Sequence, residues 1–109
     1  MPQWAKYLIA MSRRKRTLLV TKRAQKDLRG ILNYTLQTWG EKQMVRYLKK
    51  LTKTMNDLCK PPSIGRHLEN TYRFQSGMHY FYYDIDDTTV SIRRILHIKM
   101  DAAQHLNIE

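Results

Sequence analysis

The spacing of apolar residues changes once along this chain, and that change constrains the fold more than any other feature. Two segments with the spacing of amphipathic helices come first, separated by a single glycine, Gly40. After the pair Pro61-Pro62, apolar residues alternate in the manner of half-buried strands. Because two consecutive prolines forbid continuation of a helix, a helical hairpin must give way there to a sheet. With 109 residues, the chain has room for one domain of this kind.

The two helices are delimited by residues with known capping roles. Thr21 is placed to act as the N-cap of the first helix, and Gly40 is placed to end it. Glu41 opens the second helix, with its carboxylate near the positive end of the helix dipole. The first apolar stripe consists of Ala24, Leu28, Ile31, Leu32, Leu36 and Trp39. The second consists of Met44, Leu48, Leu51, Met55 and Leu58. Together they predict an antiparallel αα-hairpin.

Strands are predicted on both sides of this hairpin. One short strand, rich in β-branched and aliphatic residues, precedes it at 17–21. Three strands follow it, and turns at 75–77 and 86–87 join them into an antiparallel meander. These three strands are predicted at 72–74, 78–84 and 88–98.

The end of the chain carries two further signals. The pair Arg93-Arg94 interrupts the alternation of the last strand, so a β-bulge is expected there. Met100, Ala103 and Leu106 have helical spacing and predict a short C-terminal helix. The predicted fold class is therefore α+β in two layers: an N-terminal strand, the αα-hairpin, the three-stranded antiparallel meander and the short helix.

Basic residues are concentrated in the first part of the chain. The formal net charge is +11, from 20 Lys and Arg against 9 Asp and Glu. Residues 1–66 contain 16 of these basic residues and 3 of the acidic ones, whereas residues 67–109 contain 4 and 6. Such a surface attracts a polyanion: a nucleic acid, an anionic membrane or an acidic protein.

The first residues are interpreted as an extension of the domain. Residues 1–16, which end in the run Arg13–Arg16, are expected to form a flexible basic extension, and residues 17–109 a single domain. The apolar stretch 7–11 is too short for a membrane span or a signal-peptide core. We therefore expect a cytoplasmic protein with no membrane partner.

Several common kinds of site are excluded by pattern. The glycines are scattered and form no phosphate-binding loop, and the spacing of the four histidines matches no zinc motif. The single cysteine, Cys59, rules out an internal disulfide. No metal or cofactor is predicted.

An acid–base site stays open as one interpretation. His79 and His97 fall on neighbouring predicted strands, and Arg66, Arg73 and Arg94 are candidate clamps for a phosphate. In the alternative interpretation, which we favour, His97 hydrogen-bonds a backbone group near the end of the chain. The arginines are then ordinary solvent-facing strand residues.

The order strand, helix, helix, meander resembles the RelE/ParE toxin superfamily of bacterial toxin–antitoxin systems. Trp39-Gly40 is similar to the Trp-Gly turn that follows the first helix of its ParE branch, and Pro61 with Ile64-Gly65-Arg66 resembles the Pro-x-x-Gly-Arg loop. The segment 92–97, Ile-Arg-Arg-Ile-Leu-His, resembles the C-terminal signature most closely. The resemblance covers about residues 17–107.

The two branches imply different activities. RelE-like toxins cut mRNA on the ribosome, whereas ParE-like toxins poison DNA gyrase and are not thought to use catalytic residues of their own. In both branches a paired antitoxin wraps the toxin. This chain lacks the aromatic and basic C-terminal tail of the ribonucleases and ends Ala-Gln-His-Leu-Asn-Ile-Glu. The resemblance therefore implies a gyrase poison without catalytic residues.

The expected partners are DNA gyrase, DNA through gyrase or through the antitoxin complex, and a short acidic antitoxin. The helical hairpin and the edge of the sheet are expected to leave an apolar groove, in which an amphipathic acidic segment of the antitoxin can lie. Exposed candidates for contact with the target are Arg66, Arg73, Arg93, Arg94, His97, Lys99 and Trp39. For Trp39, a role as a core residue that caps the hairpin is an equal alternative.

Two other functions stay open. One is a ribosome-dependent endoribonuclease, with His97 or His79 as general acid or base. The other is a non-catalytic nucleic-acid-binding module that uses the basic helices.

Overall fold

The computed structural model describes residues 16–60 and 65–100. The elements in chain order are β1 (Thr17–Val20), α1 (Lys22–Trp39), α2 (Glu41–Leu58), β2 (Arg66–His67), β3 (Tyr72–Ser76), β4 (His79–Ile85) and β5 (Thr89–His97). The predicted α+β class and the helical hairpin are confirmed. The predicted C-terminal helix, residues 1–15 of the predicted extension 1–16 and the loop 61–64 lie outside the described residues. Arg16 is described and is not flexible, because its amide donates to the Cys59 carbonyl at 2.9 Å and its Nε donates to the Asp86 carbonyl at 2.7 Å.

The five strands form one sheet in the order β1-β5-β4-β3-β2. The strands β3, β4 and β5 make the predicted antiparallel meander. Strand β1 lies parallel to β5, with Thr17 opposite Thr89 and Val20 opposite Ile92. The prediction of four strands is wrong by one: the two residues of β2 pair antiparallel with β3 and are too few to show an alternating pattern.

Both predicted helix caps are in place. The Thr21 hydroxyl accepts a hydrogen bond from the Ala24 amide at 3.1 Å and donates one to the Arg93 carbonyl at 3.2 Å. One threonine thus starts α1 and fixes it to the sheet. Gly40 has a φ of +92°, which favours glycine, and its amide donates to the Leu36 carbonyl.

The first turn of the meander lies slightly later than predicted. Ser76 still belongs to β3. Its buried hydroxyl forms a 2.7 Å hydrogen bond with the Thr54 hydroxyl of α2, which holds this end of the strand against the helix. The chain reverses at Gly77-Met78, where Gly77 has a φ of +60°, as a two-residue hairpin turn requires at its first position.

The predicted bulge is confirmed. Tyr82 lies opposite Arg94, whereas Tyr83 lies opposite Ile92, so Arg93 is the extra residue in β5. The bulge bends β5 at the point where β1 ends and α1 begins alongside it.

The core lies between the hairpin and one face of the sheet. The helical hairpin contributes Ala24, Leu51, Met55, Leu58 and the C-cap residue Cys59, and the sheet contributes Phe81, Tyr83, Val90, Ile92 and Ile95. Each of these side chains is at most 5% exposed. Neither of the two described helices is long and apolar enough to cross a membrane.

Candidate protein-docking groove

A groove of about 1,100 Å³ opens between the helical hairpin and the end of the sheet where β4 begins and β5 ends. Seven large apolar side chains are exposed among the described residues, and four of them line this groove. These four are Tyr34, Trp39, Met78 and Met100. We call this site the hairpin groove.

The groove exists because the tip of the hairpin projects beyond the packed core. Every residue from 36 to 43 is exposed, whereas Leu51, Met55 and Leu58 are buried farther along α2. Trp39 is 69% exposed at this tip, so the alternative in which it is a core residue is wrong. Apolar side chains at the tip therefore face solvent, and such a concentration marks a surface that another molecule covers.

The floor of the groove is a buried ion pair between α1 and β5. Arg94 Nε and Nη2 donate to the two carboxylate oxygens of Asp27 at 2.8 and 3.1 Å. The same carboxylate accepts the Ile95 amide at 3.1 Å. The Arg94 and Asp27 side chains are only 5% and 14% exposed.

This ion pair corrects one expectation drawn from the sequence. The prediction of an exposed guanidinium is wrong for Arg94. The pairing of β1 with β5 ends before the bulge. Beyond the bulge, α1 lies beside β5 in the place of β1. The only acidic residue of α1, Asp27, meets Arg94 there.

Two histidines and a tyrosine form the wall beside this floor. His79 and His97 lie directly opposite each other on β4 and β5, with ring centroids 5.4 Å apart. The Tyr47 hydroxyl of α2 hydrogen-bonds Nδ1 of His79. Because burial raises the pKa of Tyr47, its hydroxyl is protonated at neutral pH and can donate to Nδ1. This hydrogen bond satisfies Nδ1 of His79 and does not involve the other ring nitrogen, Nε2.

His97 is held in a similar way. Its Nδ1 accepts the Lys99 amide at 3.1 Å, so the favoured interpretation, a bond to a backbone group near the end of the chain, is confirmed for this residue. Burial, and then repulsion from His97, lower the pKa of His79 to about 4. Burial also raises the pKa of Tyr47. At neutral pH the Tyr47 and His79 side chains of the wall are therefore uncharged polar groups within a basic and apolar groove.

The other predicted contact residues do not line the groove. Arg66 is exposed on β2 opposite Arg73, and the Arg73 guanidinium covers the Tyr80 ring at 4.3 Å. Arg93 forms a half-exposed ion pair with Asp84 at 3.1 Å. The exposed Lys99 follows His97. Of the seven candidates, the structure brings Trp39, His97 and Arg94 to one site and distributes the rest.

The sequence reasoning missed several groove residues. Tyr34 and Tyr47 fall outside the apolar stripes predicted for their helices, and Asp27 is the single acidic residue in a basic segment. An exposed tyrosine near a helix end and a lone carboxylate were the available signals. Within 16–60 and 65–100, no group of three or more His, Cys, Asp or Glu is arranged to hold a metal ion.

Comparison with known proteins places this geometry in a family. The sequence model described as the ParE toxin of the type II toxin–antitoxin system parDE matches residues 18–102. Toxin ParE1 of Caulobacter vibrioides is 34% identical over 91 residues, which cover 80% of this chain and 94% of that protein. Toxin ParE1 of Mycobacterium tuberculosis is 30% identical over 93 residues, which cover 81% and 95%.

Solved structures have the same fold. A chain of the chromosomal ParDE toxin–antitoxin system of P. aeruginosa superposes with a TM-score of 0.69 at 14% identity, covering 78% of this chain and 98% of that one. A chain of the toxin–antitoxin complex RelBE2 of Mycobacterium tuberculosis superposes with a TM-score of 0.59 at 27% identity, covering 76% and 98%. This chain belongs to the ParE family of toxins of type II toxin–antitoxin systems.

Proposed function

We propose that this ParE-type toxin acts by binding DNA gyrase and trapping it on cleaved DNA, and that an acidic antitoxin neutralises it by occupying the hairpin groove. The observation that carries the proposal is the family match over residues 18–102, joined to a groove built for docking. In this proposal the chain performs no covalent chemistry of its own, and residues 17–109 form a single toxin domain.

The groove has the composition of a protein-docking site. Exposed aromatic and methionine side chains line its rim, and residues of these types commonly anchor interfaces. Arg23 and Lys26 line it as well, which favours an acidic occupant. The two superposed structures come from toxin–antitoxin systems, which supports an antitoxin as that occupant.

The placement of the basic side chains supports docking over catalysis. A ribonuclease needs a base and a phosphate clamp within reach of one phosphate. Arg94 is bound to Asp27, Arg73 covers Tyr80, and Arg66 lies at the β2 edge of the sheet. The candidate clamps are therefore dispersed, and the exposed ones, Arg66 and Lys99, remain as candidate contacts with gyrase.

A ribosome-dependent endoribonuclease is the second candidate function, and the wall of Tyr47, His79 and His97 is the observation that favours it. His79, with its pKa lowered to about 4, is a poor general base at neutral pH. His97 is the stronger candidate for that role. Under the second candidate function, replacing His97 with alanine reduces mRNA cleavage by about 10²- to 10⁴-fold.

The test of the proposed target uses the purified chain in two parallel reactions. In the first, gyrase acts on supercoiled DNA, and linear cleavage product accumulates when the chain is present in amounts comparable to gyrase. In the second, translating ribosomes carry an mRNA whose cleavage is read by primer extension. Gyrase trapping with intact mRNA supports the proposal, and mRNA cleavage with unaffected gyrase overturns it.

The occupant of the groove is tested with Trp39→Ala, and the ligand is the cognate antitoxin that the proposal requires. Removal of the 69% exposed Trp39 side chain at the rim is expected to weaken binding at least tenfold by calorimetry. The matched control is Leu19→Ala on β1, another exposed apolar side chain, 52% exposed and outside the groove. Equal affinities for both variants would place the antitoxin elsewhere.

A further inference from the structure

Four basic side chains of α2 form a single stripe along the helix. Their spacing of four, three and four residues places them on one face, and all four are exposed. The members of this α2 basic stripe are Lys42, Arg46, Lys49 and Lys53. The buried residues Leu51, Met55 and Leu58 lie on the opposite face, against the core. The stripe therefore faces away from the sheet.

Little negative charge accompanies the stripe. The hairpin from 22 to 58 contains nine basic and three acidic side chains. Asp27 is bound to Arg94, and Asp57 is shared by Lys53 at 2.7 Å and Lys60 at 3.8 Å. Within the described chain, the three other members of the stripe have no ion pair.

Folding does not account for this arrangement. Like charges three and four residues apart on a helix repel one another. Lys42 also lies in the first turn of α2, close to the positive end of the helix dipole. The stripe disfavours the helix that carries it, so a polyanionic ligand is the simplest reason for it.

The surroundings of the stripe select among polyanions. A membrane surface binds helices whose apolar face is free, and the apolar face of α2 is packed against the sheet. Single-stranded nucleic acid and protein partners both use aromatic contacts. The exposed aromatic side chains Tyr34 and Trp39 line the hairpin groove instead.

Double-stranded DNA fits what remains. At about 1.5 Å per residue, the stripe from Lys42 to Lys53 is about 16 Å long. That length spans the major groove of B-form DNA, about 12 Å wide, and reaches phosphates on both sides of it. The major groove of A-form RNA is deep and narrow and offers no such span. We infer that the α2 basic stripe binds the phosphate backbone of double-stranded DNA without reading its sequence.

This inference goes beyond the proposed action on gyrase and does not depend on it. A backbone-binding stripe would hold the toxin on DNA in the absence of any protein target. Since the stripe and the hairpin groove lie on different faces of α2, DNA and an occupant of the groove need not compete.

The test measures binding of the full chain to a short fluorescent DNA duplex of mixed sequence, by anisotropy, between about 50 and about 200 mM salt. The variant pair Arg46→Gln with Lys49→Gln removes two unpaired members of the stripe and keeps good helix formers. The matched control, Lys22→Gln with Arg29→Gln, removes the same charge from exposed positions of α1 that belong neither to the stripe nor to the hairpin groove. Far-ultraviolet circular dichroism checks that each variant is folded.

The stripe variant is expected to bind about tenfold more weakly for each contact removed near 0.1 M salt, and to lose about 0.9 from the salt slope per contact. The control is expected to retain the slope of the unmodified chain. Equal losses in both variants would mean diffuse attraction and overturn the inference, as would the absence of salt-dependent binding. Equal or tighter binding of an RNA duplex of the same length would overturn the assignment to DNA.

Discussion

Two regions of the molecule are rich in aromatic and histidine rings: the hairpin groove, and the edge of the sheet formed by residues 65–76. The rings serve different purposes in the two regions. At the edge, the Tyr72 ring stacks on Tyr83 with centroids 5.5 Å apart, and it contacts the His67 ring in a tilted arrangement with centroids 4.6 Å apart. The Tyr83 hydroxyl accepts the Gly65 amide at 3.0 Å, and burial raises its pKa to about 12. These rings pack against one another, so little of their ring surface is left to contact a ligand.

The groove has the opposite character. Its floor is a closed ion pair between Asp27 and Arg94, while Trp39 and Tyr34 at the rim are 69% and 66% exposed. An aromatic cluster in a sequence is therefore a poor indicator of a site by itself. Exposed apolar side chains above a rigid polar floor are the better indicator.

The largest expected effect tests whether the ion pair at the floor of the hairpin groove is buried. Asp27→Ala leaves the Arg94 guanidinium buried without its carboxylate, which destabilises the fold by about 3–5 kcal/mol. Urea denaturation at neutral pH measures the change. The control is Asp84→Ala, which removes the half-exposed carboxylate beside Arg93 and changes stability by about 0–1 kcal/mol. Similar losses for the two variants would contradict the distinction between a buried floor and an exposed pair.

The wall of the groove predicts a pH dependence. The pKa of His79 is lowered from 6.5 to about 4, so the folded state binds fewer protons there than the unfolded chain. Its contribution to stability is full above pH 6.5 and is lost as the pH falls towards 4. A pKa difference of this size corresponds to about 3 kcal/mol in full, and the partial exposure of His79 makes the expected loss smaller.

His79→Gln isolates this contribution, because glutamine can still accept from Tyr47 and does not titrate. Denaturation curves are compared at pH 7 and near pH 4.5. The variant is expected to lose less stability on acidification than the unmodified chain. Identical losses would contradict the buried, neutral state of His79.

A smaller effect tests the packed edge. A Cβ atom on Gly65 would collide with the Tyr83 hydroxyl and lie 2.9 Å from the Arg73 carbonyl oxygen. Gly65→Ala is therefore expected to destabilise the chain by about 1–3 kcal/mol through overpacking. The midpoint of thermal unfolding measures the change, and an unchanged midpoint would mean that the edge is loosely packed.

The smallest predicted effect has the opposite sign and lies on the groove side. A Cβ atom on Gly30 of α1 meets nothing within 4 Å. Gly30→Ala is expected to stabilise α1 by about 0.5–1 kcal/mol, since glycine lowers helix stability. The midpoint of thermal unfolding measures this gain in stability. A loss of stability would show that α1 needs a glycine at position 30.

The sequence predicted what local rules control. Thr21, Gly40 and Glu41 delimit the helices as expected, and the irregular parity at Arg93-Arg94 correctly indicated the bulge. Each of these features depends on a few neighbouring residues.

The remaining features depend on contacts between distant parts of the chain. The parallel pairing of β1 with β5 joins residues about 70 positions apart, as does the Asp27–Arg94 pair. Arg93 and Arg94 are adjacent and chemically identical, yet one is half-exposed and the other buried. Only the position of α1 beside β5 distinguishes them, and no local pattern encodes that.

The central claim is that this toxin acts by docking onto a large enzyme without chemistry of its own. The most direct measurement mixes purified chain, gyrase and supercoiled DNA and follows the linear cleavage product as the ratio of chain to gyrase rises. The account predicts that this product increases until the chain is about equimolar with gyrase and then levels off. Gyrase that is unaffected by a large excess of the chain would contradict it.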